Sequence, residues 1–346
     1  MTDLQSTSGG ARAATSSDEG YPYDRTALRA ELAGVSQEPG SSKPQPILAV
    51  DNVVRSFGGV TAVDVQHLEV QRGAITALIG PNGAGKTTFF NLITGFDKPS
   101  SAKPRFGGGT GPFATWRFQG RSLGSTSAFR VAQTGMVRTF QLTKALSAMT
   151  VMDNMLLGAK DQPGEHILTA LFRPRWKKRE TEIRAKAEEL LVRFKLDAKK
   201  DDYAGSLSGG QRKLLEMARA LMSDPAMIML DEPMAGVNPA LTQSLLGHIQ
   251  DLRDRGTTVL FVEHDMHMVR HISDWVVVMA EGKVVAEGPP DTVMQHQAVV
   301  DAYLGSHHDQ DLGDDSVLDE DFEQAKAQED AERGEQVAAQ QDGKKA

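Results

Sequence analysis

The sequence predicts an α/β fold with a mostly parallel core sheet, and two observations carry that prediction. Short apolar strands alternate with helical segments along the chain, a pattern that is typical of α/β domains. One of these strands, at 74–79, runs directly into a glycine-rich turn that opens a helix. Both observations fall within residues 47–305, which we expect to form one structural unit.

The composition excludes several classes of protein. The chain has 346 residues, 40% of them hydrophobic, and no cysteine, which is a globular composition without a disulfide framework or thiol chemistry. No apolar run approaches the roughly 18 residues of a membrane span. The first residues also lack the charged start and apolar stretch of a signal peptide. Secreted, membrane-spanning and disulfide-rich proteins are therefore not expected.

Charge and sequence complexity divide the chain into three parts. Residues 306–346 carry 13 acidic and 4 basic residues, so this tail accounts for the formal net charge of -8 and the rest is close to neutral. Because the body has no excess of positive charge, we expect no nucleic-acid partner. Residues 1–46 are rich in Ser, Gly, Pro, Ala and Gln. We predict that 1–46 and 306–346 are disordered, since neither can bury enough apolar surface to offset the entropy of ordering.

The apolar pattern within 47–305 predicts the individual elements. Helices are expected where apolar residues recur at helical spacing, at 86–94, 177–194 and about 210–222. Strands are expected in short apolar or alternating runs, at 47–54, 60–70, 74–79, near 116–118, and at 227–230, 258–262 and 275–279. A loop rich in proline and glycine is expected at 99–113, and a hairpin turn at 281–283.

One segment matches the phosphate-loop pattern G-x-x-x-x-G-K-[ST]. Glycines there let backbone N–H groups turn towards phosphate oxygens, and the loop opens a helix whose N-terminus favours anions. The lysine reaches the β and γ phosphates, and the first threonine can coordinate Mg²⁺. The pattern predicts a nucleotide site, but by itself it fits a kinase or a GTPase equally well. Its residues are Gly80, Pro81, Asn82, Gly83, Ala84, Gly85, Lys86, Thr87 and Thr88.

Two carboxylates follow the apolar strand at 227–230. Ligands bind at the C-terminal ends of the strands in open α/β sheets. We therefore expect Asp231 to hold the magnesium shell and Glu232 to polarise an attacking water. An acidic pair at the end of a strand would by itself be a solvated feature, and the phosphate loop is what favours a function for it.

A second glycine-rich helix start distinguishes the chain from kinases and GTPases. Ser208, Gly209, Gly210 and Gln211 offer a hydroxyl and bare backbone suited to another phosphate. This string, and the order of the motifs around it, resembles the ABC-type ATPases. The resemblance implies a P-loop NTPase cassette with a mostly parallel core sheet, an antiparallel β subdomain and an α-helical signature subdomain at about 136–222. It also implies that the string faces the γ phosphate of an ATP held by a partner subunit.

Four further residues occupy positions of that family. The resemblance makes Gln141 the glutamine that touches magnesium and the attacking water, and His264 the histidine that contacts the γ phosphate. A lone histidine after a strand is more often structural, so only its spacing supports His264. Asn238 stands at the cross-subunit contact, where many relatives carry Asp. Phe57 stands where many relatives have a Tyr that stacks on adenine, and a core Phe is the alternative.

Within the family, the chain is most similar to the ATPases of branched-chain (hydrophobic) amino-acid importers. This resemblance implies ATP and Mg²⁺ as cofactors and a peripheral place at the cytoplasmic face of the cell membrane. It implies as partners a second, non-identical cassette, two transmembrane permeases and, indirectly, an extracytoplasmic solute-binding protein. Two alternatives stay open: an ABC ATPase for another cargo, such as a lipopolysaccharide-type exporter, and a soluble ABC ATPase without a transport role. The similar stretches are 79–96, 136–158, 171–194 and 299–305.

Overall fold

The computed structural model describes residues 24–100, 114–124, 126–139, 146–160 and 173–304. The strands in this part of the chain are β1 (Pro46–Phe57), β2 (Val60–Gln71), β3 (Ile75–Ile79), β4 (Thr115–Phe118), β5 (Arg121–Ser122), β6 (Met136–Arg138), β7 (Met227–Asp231), β8 (Thr258–Val262), β9 (Trp275–Ala280) and β10 (Lys283–Gly288). The helices are α1 (Arg25–Ala33), α2 (Lys86–Ile93), α3 (Ala128–Gln133), α4 (Val151–Leu156), α5 (Arg173–Arg193), α6 (Gly209–Leu221), α7 (Pro239–Asp254), α8 (Met266–Ile272), α9 (Pro290–Val293) and α10 (Gln297–Leu304).

The central sheet has the order β10-β9-β3-β8-β7-β6 within the described residues. Strands β9, β3, β8, β7 and β6 run parallel, and only β10 is antiparallel to its neighbour. A second sheet, of order β2-β1-β4-β5, is antiparallel throughout. The predicted fold class, with a mostly parallel core sheet and an antiparallel β subdomain, is confirmed.

Both faces of the central sheet are buried, which explains why its strands are continuous apolar runs. Alternate residues of β3 show the arrangement: Ile75 and Ala77 join one core with the helices, while Leu78 joins the other with α2 and the antiparallel sheet. The helical core also receives the predicted apolar stripe of α5. Every member of that stripe is buried: Ile183, Ala187, Leu190, Leu191 and Phe194.

The predicted elements occur within a few residues of their expected bounds. Strands β5 and β6 and helices α3, α4 and α7 to α10 were not predicted. Most of them are short, with three residues in β6 and seven in α8, whereas α7 has 16. Most of the expected loop at 99–113 lies outside the described residues, as do 1–23 and the acidic tail from 305 onwards. Among the described residues, no helix combines the length and apolar character needed to cross a membrane.

The structure corrects the expectation of disorder for residues 24–46. Asp24 caps the N-terminus of helix α1, and its carboxylate accepts a hydrogen bond from the Thr26 amide at 2.8 Å. Leu28 and Leu32, one helical turn apart, are buried in the core beneath the antiparallel sheet. The average composition of 1–46 concealed this short amphipathic element, because two well-placed leucines are too few to change it.

A buried ion pair connects the segment between α1 and β1 to strand β10. The Lys43 ammonium lies 2.8 Å from the Glu287 carboxylate on β10, and their side chains are 0% and 1% exposed. Glu287 also accepts hydrogen bonds from the Ser41 amide at 2.6 Å and from the Trp275 indole at 3.0 Å. The ring of Trp275 lies 4.6 Å from the same ammonium. Since every charge here has partners, their hydrogen bonds and mutual attraction offset the desolvation cost of burying the pair.

We predict that Lys43→Met destabilises the protein by about 3–5 kcal/mol, because it leaves the Glu287 carboxylate buried without a cation. Urea denaturation followed by fluorescence measures the loss. The control is Lys283→Met, which removes an exposed lysine from the same strand as Glu287. A loss for Lys43→Met no larger than the control's would show that the pair contributes nothing to stability.

Candidate functional site

Three parallel strands end level with one another at one edge of the central sheet. Leu78 of β3 and Asp231 of β7 both stand opposite Val262 of β8. The turns that follow these three strands therefore begin side by side, at the edge where open α/β sheets bind ligands. This register brings together the phosphate loop, the carboxylate pair and His264.

Two glycines give the phosphate loop its shape. Gly80 has a φ of 149°, and a Cβ at this position would lie 2.0 Å from the carbonyl oxygen of Met279. Gly85 has a φ of 95°, and a Cβ there would lie 2.3 Å from the carbonyl oxygen of Ala62. Gly85 is also the N-cap of α2 and supplies no side-chain cap. The first amides of α2 are thus left for an anion.

Lys86 lies inside the curve of the loop. Its ammonium donates hydrogen bonds to the carbonyl oxygens of Gly80 at 2.6 Å and Pro81 at 2.9 Å. Burial lowers the pKa of Lys86, while the nearby carboxylates of Glu232 and Asp231 oppose that shift by favouring the charged form. A partly desolvated ammonium enclosed by the backbone of the phosphate loop is a strong partner for phosphate oxygens. The two residues that follow are accessible, Thr87 being exposed and Thr88 half-buried.

Asp231 is buried at the end of β7 with its two carboxylate oxygens in different situations. Its Oδ2 accepts a hydrogen bond of 2.6 Å from Arg138, and the two side chains are only 3% and 5% exposed. The same guanidinium donates to the Asn91 side chain on α2 at 2.7 Å. Asp231 Oδ1 is buried and has no hydrogen-bond partner among the described residues. An orphaned carboxylate oxygen is costly unless a cation or water meets it, and carboxylate oxygens are among the ligands that Mg²⁺ prefers.

Glu232 occupies a strained backbone conformation next to Asp231. Its φ is 47°, in the left-handed region that non-glycine residues rarely adopt. Its amide donates to the carbonyl oxygen of Val262 at 3.0 Å, which extends the pairing of β7 with β8 by one residue. Such strain persists only where the surroundings hold it, and it clusters at active sites.

His264 projects from the end of β8. Its side chain is 65% exposed, so it is not a core histidine. Its amide donates to the carboxylate of the preceding Glu263 at 3.3 Å. Glu263 itself is 2% exposed, and burial raises its pKa above the ordinary value. The buried glutamate anchors the backbone, and the imidazole is left at the edge of the sheet.

The glycine-rich string at the start of α6 forms a capping box. The Ser208 hydroxyl accepts from the Gln211 amide at 3.2 Å, and the Gln211 side chain accepts from the Ser208 amide at 3.1 Å. The two glycines between them differ in their surroundings. A Cβ on Gly210 would meet the Leu241 side chain of α7 at 1.7 Å, whereas one on Gly209 would have nothing within 4 Å. Gly210 therefore packs closely against Leu241, while Gly209 exposes bare backbone.

Of the three other candidate residues, the structure describes Asn238 and Phe57. Asn238 caps α7, and its side chain accepts a hydrogen bond from the Leu241 amide at 2.9 Å. Phe57 ends β1 with 49% of its surface exposed, so it is not a core residue. The Arg55 guanidinium lies 4.3 Å from the centre of the Phe57 ring. Gln141 lies outside the described residues.

Arg138 and Tyr303 also lie at the site, and neither was among the sequence candidates. Arg138 fixes Asp231, as described above. Tyr303 of α10 is close to the start of the phosphate loop: burial raises its pKa, and a hydrogen bond with the Gly80 backbone opposes that shift. Both residues lie in stretches that resemble the importer ATPases, and this was the only signal available, because a sequence does not reveal the partner of a side chain.

Two family models match the chain. Residues 63–235 match the family model described as ABC transporter. Residues 283–309 match the model described as branched-chain amino acid ATP-binding cassette transporter.

Relatives and solved structures agree with the two family models. The chain is 39% identical to the probable branched-chain amino acid transport ATP-binding protein LivG of Archaeoglobus fulgidus, over 75% of this chain and 96% of that protein. It is 37% identical to the high-affinity LivG of Escherichia coli K12, over 75% and 98%. A crystal structure of an ATP-binding cassette in its ADP conformation matches with a TM-score of 0.63 at 37% identity, over 75% of this chain and 99% of that one. The chain therefore belongs to the ABC transporter family, as a nucleotide-binding ATPase cassette.

Proposed function

We propose that the chain is the ATP-hydrolysing subunit of an importer for branched-chain or other hydrophobic amino acids. The observation that carries the ATPase assignment is the meeting of the phosphate loop, Asp231 and Glu232 at one edge of the sheet. The cargo class is supported by the match of residues 283–309 and by the names of the relatives. Neither an exporter of another cargo nor a soluble ATPase has comparable support.

In this proposal Glu232 is the general base for ATP hydrolysis. The water oxygen bonds to the γ phosphorus, the bond from that phosphorus to the β–γ bridging oxygen breaks, and the water proton passes to Glu232. Lys86 and the loop amides stabilise the phosphate charge that is redistributed during this step. Bound Mg²⁺ would neutralise phosphate charge, held by the Thr87 hydroxyl and Asp231. Gln141 would touch the ion and the water, and His264 the γ phosphate.

The remaining candidates act between two subunits. The string at Ser208–Gln211 of one cassette would close on the ATP held by the other, and the open space beside Gly209 leaves room for a phosphate. Asn238 would lie at the same junction, and Phe57 would stack on adenine. The partners are a second, non-identical cassette and two permeases, with an extracytoplasmic solute-binding protein acting indirectly. In this arrangement the chain would be a peripheral subunit at the cytoplasmic face of the cell membrane.

Co-purification from native membranes in mild detergent tests the proposal. Tagged Glu232→Gln protein is purified, and the proteins that accompany it are identified by mass spectrometry. Two multi-spanning permeases and a second cassette would support the importer, and ligand titration of the neighbouring binding protein would give the cargo. A chain that brings down only soluble proteins, such as ribosomal or repair proteins, would refute the transport role and leave the ATPase assignment standing.

We predict that Glu232→Gln lowers the rate of ATP hydrolysis by roughly 10²–10⁴-fold, because the amide cannot accept the water proton. ATP binding should stay intact, so an ATP-bound dimer should accumulate on size exclusion. The matched control is Glu281→Gln, an exposed glutamate in a turn with a similar φ of 48°. Hydrolysis by Glu232→Gln at the rate of the control would remove Glu232 from the catalytic role.

We predict that Arg138→Met weakens the response to Mg²⁺ by about 10–100-fold, as is usual when a residue that orients a metal ligand is lost. Without the guanidinium, Asp231 can turn away from the phosphate loop. The concentration of Mg²⁺ that gives half-maximal ATPase activity measures the effect. Arg117→Met, which removes an arginine whose side chain is 57% exposed, serves as the control. Equal Mg²⁺ requirements for the two variants would contradict the orienting role.

A further inference from the structure

The loop that carries Glu232 is held from two sides by charged side chains of different elements. We call residues 232–235, which follow β7, the carboxylate loop. Lys213 reaches it from helix α6, and Glu263 reaches it from the end of β8. Neither side chain was a candidate in the sequence, and neither has a part in the chemistry described above.

Lys213 binds the backbone of the carboxylate loop on both sides of Met234. Its ammonium donates a hydrogen bond of 3.0 Å to the carbonyl oxygen of Pro233, and a second to that of Ala235. Burial lowers the pKa of Lys213, while the carboxylates of Glu263, Glu216 and Glu232 favour its charged form. An ammonium bound to two carbonyl oxygens makes charge-assisted hydrogen bonds, which are stronger than neutral ones.

Glu263 holds the amide between those two carbonyls. Its carboxylate accepts the Met234 amide at 3.0 Å and the His264 amide at 3.3 Å. The Lys213 ammonium therefore binds two carbonyl oxygens of the loop, and the Glu263 carboxylate binds one of its amides. With this arrangement the backbone of the loop is restrained in both directions, and the restraint begins one residue after Glu232.

The strain at Glu232 makes this restraint relevant to the reaction. A residue at a φ of 47° relaxes when its neighbours are released, and its side chain then changes direction. Lys213 and Glu232 line the same small cavity at the end of β7, so a movement of the lysine alters the space beside the carboxylate. Loss of the Lys213 contacts is expected to redirect the Glu232 carboxylate without disturbing the phosphate loop.

We propose that Lys213 is a positioning residue through which helix α6 sets the direction of the Glu232 carboxylate. The N-terminus of the same helix carries the string at Ser208–Gln211. On the proposed function, that string meets the ATP of the partner subunit. A shift of α6 on closure therefore reaches the carboxylate loop of its own subunit through Lys213, and this connects the two ATP sites of a dimer.

The test compares Lys213→Met and Lys213→Arg in the full chain, together with the subunits that co-purify with it. We expect Lys213→Met to lower kcat by roughly 10²-fold, because a displacement of a catalytic group by about 1 Å can lower the rate that much. The KM for ATP should change little, since the phosphate loop is intact. Lys213→Arg keeps a cationic donor and should recover most of kcat.

Lys186→Met is the matched control. The Lys186 ammonium also donates to a backbone carbonyl next to α6, that of Met222 at 3.0 Å, but at the far end of the helix. This variant measures the effect of removing a lysine-to-carbonyl bond, together with the Lys186–Asp224 ion pair at 2.5 Å, away from the carboxylate loop. If Lys213→Met and Lys186→Met lower kcat equally, or if kcat and melting temperature fall while KM rises in Lys213→Met, Lys213 is structural and the proposal is overturned.

Hydrogen exchange gives a readout that does not depend on hydrolysis. The amides of Met234 and Val237 should exchange faster in Lys213→Met than in the wild type and in Lys186→Met. Unchanged exchange would overturn the proposal even if kcat fell. If the wild-type protein hydrolyses no ATP, the proposed function fails, and the exchange rates still decide whether Lys213 holds the carboxylate loop.

Discussion

The level ends of β3, β8 and β7 are the constraint on which the candidate site depends. Asp231 and Leu78 reach the same height because both pair with Val262. A slip of one residue in either strand would displace Asp231 by about 3.3 Å relative to the phosphate loop. The hydrogen bond of 2.6 Å from Arg138 to Asp231 would not survive such a displacement. The register of the buried sheet therefore determines the geometry of every group at its edge.

A buried carboxylate lies at each end of the central sheet, and the two differ in how completely their oxygens are paired. At the amino-terminal end, Asp274 is fully compensated: it accepts the Ile75 amide at 3.0 Å and pairs with Arg25 and Arg29 at 3.2 and 3.1 Å. At the carboxyl-terminal end, Asp231 has one arginine and an oxygen without a hydrogen-bond partner among the described residues. A buried carboxylate that serves stability needs hydrogen-bond and ion-pair partners for both of its oxygens. A carboxylate oxygen left without a partner is typical of a site that receives a ligand.

At the same edge of the sheet, the strained backbone of Glu232 is supported by side chains of neighbouring elements. Glu232 keeps its left-handed backbone beside a buried glutamate and a half-buried lysine. These supports come from α6, which precedes β7 in the chain, and from the residue after β8, and both contact the carboxylate loop in space. The site is therefore a property of three packed elements, and a motif such as Asp231-Glu232 describes only the part that one strand contributes.

Local sequence determined much of the fold and the identity of the main groups. Apolar strands alternating with amphipathic helices follow from the periods of 2 and 3.6 residues, and the glycine pattern from 80 to 85 specifies a turn that other residues cannot adopt. These features depend on neighbours along the chain, which a sequence displays. The expectation of disorder was wrong for 24–46 because order there depends on partners more than 200 residues away, such as Asp274 and Glu287.

Tertiary structure alone decided which side chains meet. Arg138 reaches Asp231 across 93 residues, and Lys213 and Glu263 reach the carboxylate loop from separate elements. It also gave two adjacent glycines different surroundings. Gly209 has open space beside it, whereas Gly210 packs against Leu241. The physical reason is that hydrogen bonds and burial depend on distance in space. The sequence by itself determined which chemical groups the protein carries, and only the packing of its sheet and helices decided which of them stand together.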